Sequence, residues 1–161
     1  MYEEQFHLTR KPFQLSPDTD FFFPSVEHKR ALSFLQYGLS QGDGFIVITG
    51  NVGTGKTTLV QALLADLDDA DLSVATIVTS NLKEDDLLQM VAQNFGIPVG
   101  KGNKAGLLYD LEQTFLQHAK ANRRILLIVD EAQNLPSASV EELRMLSNFQ
   151  LDGKPLVQIF L

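Results

Sequence analysis

The chain has 161 residues, enough for one domain with a sizeable core and short for two. It contains no cysteine, which excludes a disulfide framework and a cysteine-ligated metal, and its three histidines fall in different predicted elements, which argues against a histidine metal cluster. The net charge is −7 at pH 7, and the scattered basic residues form no basic stripe with interleaved aromatics. We therefore expect no nucleic-acid binding by this portion of the chain.

No apolar run approaches the roughly 20 residues that span a bilayer. The acidic, polar N-terminus is also unlike a signal peptide. We therefore expect a cytoplasmic protein, brought to the inner membrane only through partners or through C-terminal regions beyond this portion.

The first 24 residues are predicted to form an aromatic arm that packs onto the domain that follows. The arm carries too much apolar mass to leave in water, in Phe6, Phe13, Leu15, Phe21, Phe22 and Phe23. After the arm, Ser25 is a plausible N-cap. The helix that it starts is predicted to bury one face, formed by Ala31, Leu32, Leu35 and Leu39.

A glycine-rich loop follows a predicted apolar strand, 45–49, and precedes an apolar helical pattern. Four of its residues fill every fixed position of the phosphate-binding loop G-x-x-x-x-G-K-[ST]. Such glycines let successive backbone N–H groups point at phosphate oxygens, and the helix adds the positive end of its dipole. Lys56 is expected to reach the β- and γ-phosphates of ATP, and the Thr57 hydroxyl to ligate Mg²⁺. The predicted nucleotide-binding residues are Gly50, Asn51, Val52, Gly53, Thr54, Gly55, Lys56, Thr57 and Thr58.

The middle of the chain continues the alternation of strand and helix. A second strand is predicted at 73–78, after an acidic cluster at 66–71 that we expect in solvent. The next helix ends at Gly96, and Asn103 is predicted to cap a third helix. Two apolar faces are predicted, one from Leu87, Leu88, Val91 and Phe95, the other from Leu107, Leu108, Leu111 and Phe115. His118 continues the second face and is interpreted as a core or boundary residue.

A second group of functional residues follows the apolar strand predicted at 125–129. Asp130 and Glu131 stand at the carboxyl end of that strand, where open α/β sheets place their ligands. Carboxylates at such an edge need a partner, and Mg²⁺ with a nucleotide supplies one. Asp130 is expected to hold Mg²⁺, and Glu131 to act as the catalytic base that polarises the attacking water.

The last part of the chain is predicted to add one helix and one strand. Ser139 and Glu142 have the spacing of a capping box for a fourth helix, with Val140, Leu143, Leu146 and Phe149 on its apolar face. Asp152 and Gly153 then turn the chain into a strand at 156–161. The whole pattern predicts an α/β fold with a mostly parallel sheet.

Several stretches together carry a family resemblance: the arm MYEEQFHLTRKPFQLSPDTDFFFP, the loop GNVGTGKTT, and the segments VDEAQNLP and ELRMLSNFQ. The chain resembles the AAA-type ATPases of the general secretion pathway protein A (ExeA) group, especially the secretion ATPases of exosortase and PEP-CTERM loci that are linked to exopolysaccharide export. The resemblance implies a three-layer P-loop NTPase (AAA+) sandwich with strand order 1-4-3-2. It also implies a homo-oligomer at full length, an adenine site near Pro12 and Phe13, and a switch at 79–81 that restrains Glu131.

The chain departs from that family at its C-terminal end. The fold that the resemblance implies is incomplete here, because a sensor residue, a fifth strand, an arginine finger and a helical lid should follow Leu161. We therefore expect 1–161 to be the N-terminal part of a longer ATPase core, with the lid domain absent. The strand at 45–49 would then be an unprotected sheet edge, so we expect this portion to self-associate. Because the lid and the arginine finger that enclose the nucleotide and stabilise the transition state are missing, we also expect it to bind nucleotide weakly and to hydrolyse almost none.

Other classes of function share parts of this pattern. A transposition-helper or other DNA-remodelling ATPase has the same core, but a basic surface or an added DNA-binding domain would reveal it. A module that assembles on ATP without turnover is the non-enzyme alternative, and Glu131 argues against it. A small GTPase is disfavoured because no N-K-x-D motif is present. A helicase is possible from the Asp-Glu-Ala-Gln segment alone, because this portion of the chain does not allow the remaining helicase motifs to be checked.

Overall fold

The computed structural model describes residues 5–8, 22–42, 44–67, 71–79, 83–99 and 103–161. Most of the predicted arm, including Pro12 and Phe13, lies outside these residues, so its place near an adenine stays a prediction. Where the arm is described, its predicted packing is only partly right. Phe22 packs against the core, but Phe23 is 85% exposed and Phe6 is 64% exposed. Aromatic content alone therefore overestimated how much of the arm is buried.

Five α-helices and six strands make up the described fold. The helices are α1 Val26–Gln41, α2 Lys56–Ala65, α3 Glu84–Asn94, α4 Lys104–Lys120 and α5 Ser137–Ser147. The strands are β1 Phe45–Ile46, β2 Leu72–Val78, β3 Arg124–Asp130, β4 Gln150–Leu151, β5 Lys154–Pro155 and β6 Gln158–Phe160. A single 3₁₀ turn, Ala132–Asn134, follows β3. Among the described residues no helix is both long enough and apolar enough to cross a membrane.

Four of the strands form a parallel sheet in the order β1-β6-β3-β2. This order is the predicted 1-4-3-2. The strand before the loop is shorter than predicted, but its backbone stays paired beyond Ile46, because Ile48 N–H donates to the Leu161 carbonyl at 2.8 Å. Within the described residues β1 has a neighbouring strand on one side only, as expected for the edge of the sheet.

Helices cover both faces of this sheet. Alternate residues of β3 point to opposite sides, so Leu126 and Ile128 join one core while Leu127 and Val129 join the other. The first core packs α1 and α2 against the sheet and includes Leu35, Leu39, Leu59 and Leu63. The second packs α3, α4 and α5 and includes Leu87, Val91, Leu111, Phe115, Leu143 and Leu146. The result is the predicted three-layer α/β arrangement, and it explains why β3 is apolar without alternation.

Two predicted helix caps are confirmed by their hydrogen bonds. The Ser25 hydroxyl accepts from the backbone N–H of His28 at 3.2 Å, and the Asn103 side chain accepts from Gly106 N–H at 2.8 Å. Gly96 follows α3 in the left-handed region, with a φ of 72°, as expected of a helix-ending glycine.

The predicted capping box at the start of α5 is wrong. The helix begins at Ser137 behind Pro136, so Ser139 lies within the first turn and is fully buried. Pro136 has the fixed φ that starts a helix easily, which moves the N-terminus upstream of the serine. The buried face therefore runs through Ser139, Glu142, Leu143 and Leu146, while Val140, predicted to be buried, is 37% exposed.

Glu142 takes part in an ion pair between α4 and α5 instead of capping. Its carboxylate accepts a hydrogen bond from Lys104 Nζ at 2.5 Å, and its second oxygen is buried without a hydrogen-bond partner. That hydrogen bond raises the pKa of Lys104, and the negative charges of Glu142, Asp85 and Glu84 add to the effect. Because the pKa of Lys104 is raised on folding, its charged form stabilises the fold at neutral pH, and this contribution is lost as the pH rises through the folded-state pKa of Lys104.

The turn at Asp152 and Gly153 forms a hairpin that sequence analysis did not predict. β4 and β5 pair in antiparallel register around it, and both turn residues have positive φ values, 53° and 78°. A tight two-residue hairpin turn requires a left-handed backbone at both turn residues, and for this reason it favours the sequence Asp-Gly. Each strand has only two residues, so an alternation of apolar and polar residues could not predict it.

We expect Lys104→Met to destabilise the fold, because it leaves the Glu142 carboxylate buried without its cation. The loss in free energy of unfolding should be about 1 kcal/mol, a low value for such a change because the Lys104 side chain is 41% exposed. Urea denaturation followed by circular dichroism measures it. The control is Arg144→Met, which breaks the exposed pair between Arg144 and Glu141 and should leave the midpoint unchanged. Equal effects of the two substitutions would contradict the structural role of the buried pair.

Candidate functional site

The predicted site residues come together at the carboxyl edge of the parallel sheet. Residues 47–55 connect the end of β1 to the start of α2, Asp130 is the last residue of β3, and Thr79 directly follows β2. Since β1, β6, β3 and β2 are parallel, all these chain ends lie on the same side of the domain. The parallel arrangement of the four strands therefore brings the predicted site residues to one edge of the sheet.

The glycines of the loop allow backbone conformations with positive φ, and they allow a side chain to lie close to the loop backbone. Gly53 and Gly55 lie in the left-handed region, at 80° and 82°. A Cβ atom at Gly50 would come within 2.9 Å of the Thr54 hydroxyl oxygen, which itself donates to the Asn51 carbonyl at 2.9 Å. Val52 at the tip of the loop is 98% exposed, so it contributes its backbone to the loop and no packing.

The start of α2 leaves its first backbone N–H groups without a side-chain cap. Gly55 occupies the N-cap position and has no side chain to offer. Lys56, Thr57 and Thr58 form the first turn of α2, so their N–H groups have no intrahelical acceptor. Uncapped donors at the positive end of a helix dipole are suited to bind an anion such as phosphate.

Lys56 folds back over its own loop. Its Nζ donates to the carbonyl of Gly50 at 2.9 Å and to that of Asn51 at 3.2 Å. The ammonium group therefore lies across the loop, where it stabilises the curved backbone and adds a positive charge. The phosphate-binding role of the lysine stays a prediction.

Thr57 and Asp130 form the contact that joins the two predicted motifs. The Thr57 hydroxyl donates to Asp130 Oδ2 at 2.9 Å, although the residues are 73 positions apart in the chain. Both side chains offer oxygen ligands, which suit Mg²⁺. The described residues contain no cluster of three or more histidine, aspartate or glutamate side chains that could hold a metal, so phosphate oxygens and water would complete a magnesium site. The residues present fit that kind of site.

Glu131 lies next to Asp130 with an exposed side chain and an unusual backbone. Its φ is 57°, a left-handed value that is uncommon outside glycine, and its N–H donates to Asp130 Oδ1 at 2.9 Å. The amide of Gln133 donates to the Glu131 carboxylate. Gln133 was not among the predicted site residues, although it follows in the same Asp-Glu-Ala-Gln segment.

Thr79 contacts Glu131 through the backbone and not through the carboxylate. The buried Thr79 hydroxyl lies 2.8 Å from the Glu131 carbonyl and 3.0 Å from the Asp130 carbonyl. With one hydrogen, it can donate to only one of them at a time. Ser80 and Asn81 lie outside the described residues, so the predicted switch at 79–81 stays a prediction. The structure shows only that the Thr79 hydroxyl contacts the backbone carbonyls of Asp130 and Glu131.

His28 contacts the loop, a role that sequence analysis did not predict. Its Nε2 lies 3.0 Å from the Thr54 carbonyl oxygen. No local pattern indicates this contact, because His28 belongs to α1 and meets the loop only after the layers have packed. His118 behaves as predicted, since it is partly buried and its Nδ1 contacts the Thr114 carbonyl of its own helix.

Two cavities of the described structure lie away from this site. One, of about 450 Å³, lies between α3 and α4 and is lined by residues that include Asp85, Leu88 and Leu107. The other, of about 710 Å³, includes Gly42, Arg124 and Leu156 and lies at the amino edge of the sheet. Neither includes a residue of the loop.

Comparisons with known proteins agree with this architecture. Residues 39–161 match the family model described as an AAA domain. General secretion pathway protein A of Aeromonas hydrophila is 40% identical over 162 residues, which cover 100% of this chain and 29% of that protein. The chain thus spans less than a third of the length of this relative.

Two solved structures of the Aeropyrum pernix ORC2 protein share the fold. The ADP form has a TM-score of 0.59 at 19% identity, covering 99% of this chain and 44% of that one. The ADPNP-ADP complexes have a TM-score of 0.54 at 20% identity, covering 89% and 43%. At these identities the likeness concerns the fold alone, and it confirms the predicted α/β class.

We expect Thr79→Val to loosen the backbone of Glu131, because valine keeps the shape of threonine but cannot donate to the carbonyls of Asp130 and Glu131. The free energy of unfolding should fall by about 1 kcal/mol, and the backbone amide resonance of Glu131 should shift. Urea denaturation and ¹⁵N–¹H correlation spectra measure both. Thr76→Val, at an exposed position of β2, is the matched control. An unmoved Glu131 resonance in Thr79→Val would contradict this role of the hydroxyl.

Proposed function

This chain belongs to the AAA domain family, and from that premise we propose that it binds ATP with Mg²⁺ and hydrolyses the nucleotide at the carboxyl edge of its sheet. The observation that carries the proposal is the hydrogen bond of 2.9 Å between Thr57 and Asp130. It places an oxygen ligand from the first turn of α2 beside one from the end of β3. This proximity supports the proposal, because one Mg²⁺ ion could then be held by both residues beside the loop.

Each residue of the site has a role in this proposal. The loop N–H groups and the Lys56 ammonium bind the phosphate oxygens. Thr57 and Asp130 hold Mg²⁺, which when bound neutralises charge on the β- and γ-phosphates. Glu131 orients a water molecule and accepts its proton. Gln133 keeps the Glu131 carboxylate in place, and the exposure of this carboxylate leaves it accessible to water and substrate.

We further propose that the whole protein acts in secretion or in exopolysaccharide export. The support is the 40% identity to a protein named for the general secretion pathway. The solved relatives were captured with ADP and ADPNP, which supports adenine nucleotides as the ligand class. We propose a homo-oligomer at full length, working in the cytoplasm with secretion or export machinery as its partner.

Lys56→Ala should weaken ATP binding on the order of 100-fold or more, because it removes the cation that faces the phosphates. Titration with a fluorescent ATP analogue in the presence of Mg²⁺ measures the affinity. Lys120→Ala, at an exposed lysine in the last turn of α4, serves as the control and should bind like the parent chain. Equal affinities for all three proteins would rule out the loop as the nucleotide site.

In the full-length protein, Glu131→Gln should retain ATP binding but lose hydrolysis by about 100-fold or more, because the amide keeps the shape of the side chain without its basicity. Steady-state phosphate release measures turnover, and the nucleotide titration verifies binding. Glu141→Gln changes an exposed glutamate of α5 in the same way and should hydrolyse normally. Most of the parental activity remaining in Glu131→Gln would exclude Glu131 as the base.

A further inference from the structure

We propose that His28 is a positioning residue of the phosphate loop, which holds the Thr54 carbonyl outward and thereby aims the Gly55 N–H toward the phosphates. The inference deepens the proposed nucleotide function and rests on it. It concerns a residue of α1 that no loop motif includes.

The His28 ring is held at both nitrogens and on one side. Nε2 lies 3.0 Å from the Thr54 carbonyl oxygen, and Nδ1 lies 3.0 Å from the Ser25 hydroxyl oxygen. The Phe22 ring packs against the imidazole edge to face, with centroids 5.3 Å apart. A ring restrained in this way presents Nε2 to the loop in one orientation.

The contacts determine which nitrogen carries the hydrogen. A carbonyl oxygen only accepts, so Nε2 must be protonated to bond with Thr54. The Ser25 hydroxyl already accepts from the backbone N–H of His28 at 3.2 Å, and its own hydrogen is free to go to Nδ1. A hydrogen on Nε2 therefore satisfies the Thr54 carbonyl and leaves Nδ1 to contact the Ser25 hydroxyl.

Holding the Thr54 carbonyl also fixes the next N–H group. In a trans peptide the C=O and the following N–H point in opposite directions within one plane. The Thr54 carbonyl and the Gly55 N–H belong to the same peptide unit, so a carbonyl bonded outward turns the N–H toward the inside of the loop. This is the orientation that an anion requires.

Gly55 makes such an external restraint necessary. Its φ of 82° is accessible to glycine at little cost, so Gly55 adds little resistance to rotation of the peptide that precedes it. A Cβ atom at this position would stand 3.5 Å from His28 Nε2, which shows how closely the ring approaches. The contact is exposed to solvent, so its energetic effect is that of a modest, water-competed hydrogen bond.

The contact also couples α1 to the nucleotide site. Leu35 and Leu39 pack α1 into the same core as Leu59 and Leu63 of α2, so the two helices form one layer. His28 extends that layer to the loop itself. A displacement of the N-terminal end of α1 would therefore change the orientation of the Gly55 N–H and with it the phosphate affinity.

The first test is binding by His28→Ala and His28→Gln, measured by titration with ATP and with ADP. The alanine variant should bind both nucleotides about 3- to 10-fold more weakly, the range expected for one hydrogen bond. The glutamine variant should recover most of the affinity, because its side-chain amide donates from a position close to Nε2. His118→Ala, which removes a histidine that bonds to its own helix and packs near the Phe95 ring, should bind normally.

The second test needs no nucleotide. Ring ¹⁵N shifts of the parent protein should show His28 protonated at Nε2, and the Gly55 amide resonance should move in His28→Ala but return toward its parental position in His28→Gln. A general loss of packing would not be restored by glutamine in this selective way. An Nδ1-protonated His28, or a Gly55 resonance unmoved in the alanine variant, would overturn the inference.

The outcomes separate this inference from the proposed function. If the parent protein and Lys56→Ala are equally unable to bind ATP, the proposed function fails, while the resonances still decide the role of His28. If the parent protein binds ATP and folded His28→Ala binds equally well, the positioning role fails and the proposed function stands.

Discussion

The site depends on one contact, the hydrogen bond between the Thr57 hydroxyl and the Asp130 carboxylate. It forms only if α2 starts where β3 ends, and this in turn requires β1 and β3 to be parallel and one strand apart. β6 supplies that intervening strand by pairing with both. The sheet order is therefore a requirement of the chemistry, since a different order would separate the phosphate cradle from its carboxylate.

Side chains of the site act mainly by holding backbone carbonyls. Lys56 donates to Gly50 and Asn51, His28 contacts Thr54, and the Thr79 hydroxyl contacts the carbonyl of Glu131. A carbonyl within an anion site would repel the phosphate, so bonding it elsewhere leaves the N–H groups to face the ligand. The loop can thus be built from glycines, which adopt the required dihedral angles but do not maintain them unaided.

The opposite face of the sheet shows how one sequence pattern can fit two structures. Ser139 and Glu142 have the spacing of a capping box, but the same spacing puts two residues on one face of a helix. Once Pro136 starts α5 three residues earlier, both side chains turn toward the core, and Glu142 meets Lys104 from α4. The helix start follows from Pro136, a local signal, but the pairing of Glu142 could not be predicted from local spacing because Lys104 lies 38 positions away.

The sequence by itself determined the α/β class and, through the family resemblance, the strand order, and it predicted Lys56, Thr57, Asp130 and Glu131 as candidate site residues. It could do so because a phosphate loop needs particular residue types at fixed local spacing, and because strands buried on both faces are continuously apolar. The fold class was confirmed, and the structure brings these four residues to one edge, where their chemical roles remain proposals.

Only the tertiary structure decided that His28 and Thr79 hold loop and strand-end carbonyls and that Phe23 is exposed. It also decided that Glu142 is paired with Lys104. Each of these depends on contacts between elements distant in the chain, and such contacts have no period or spacing that a single sequence displays.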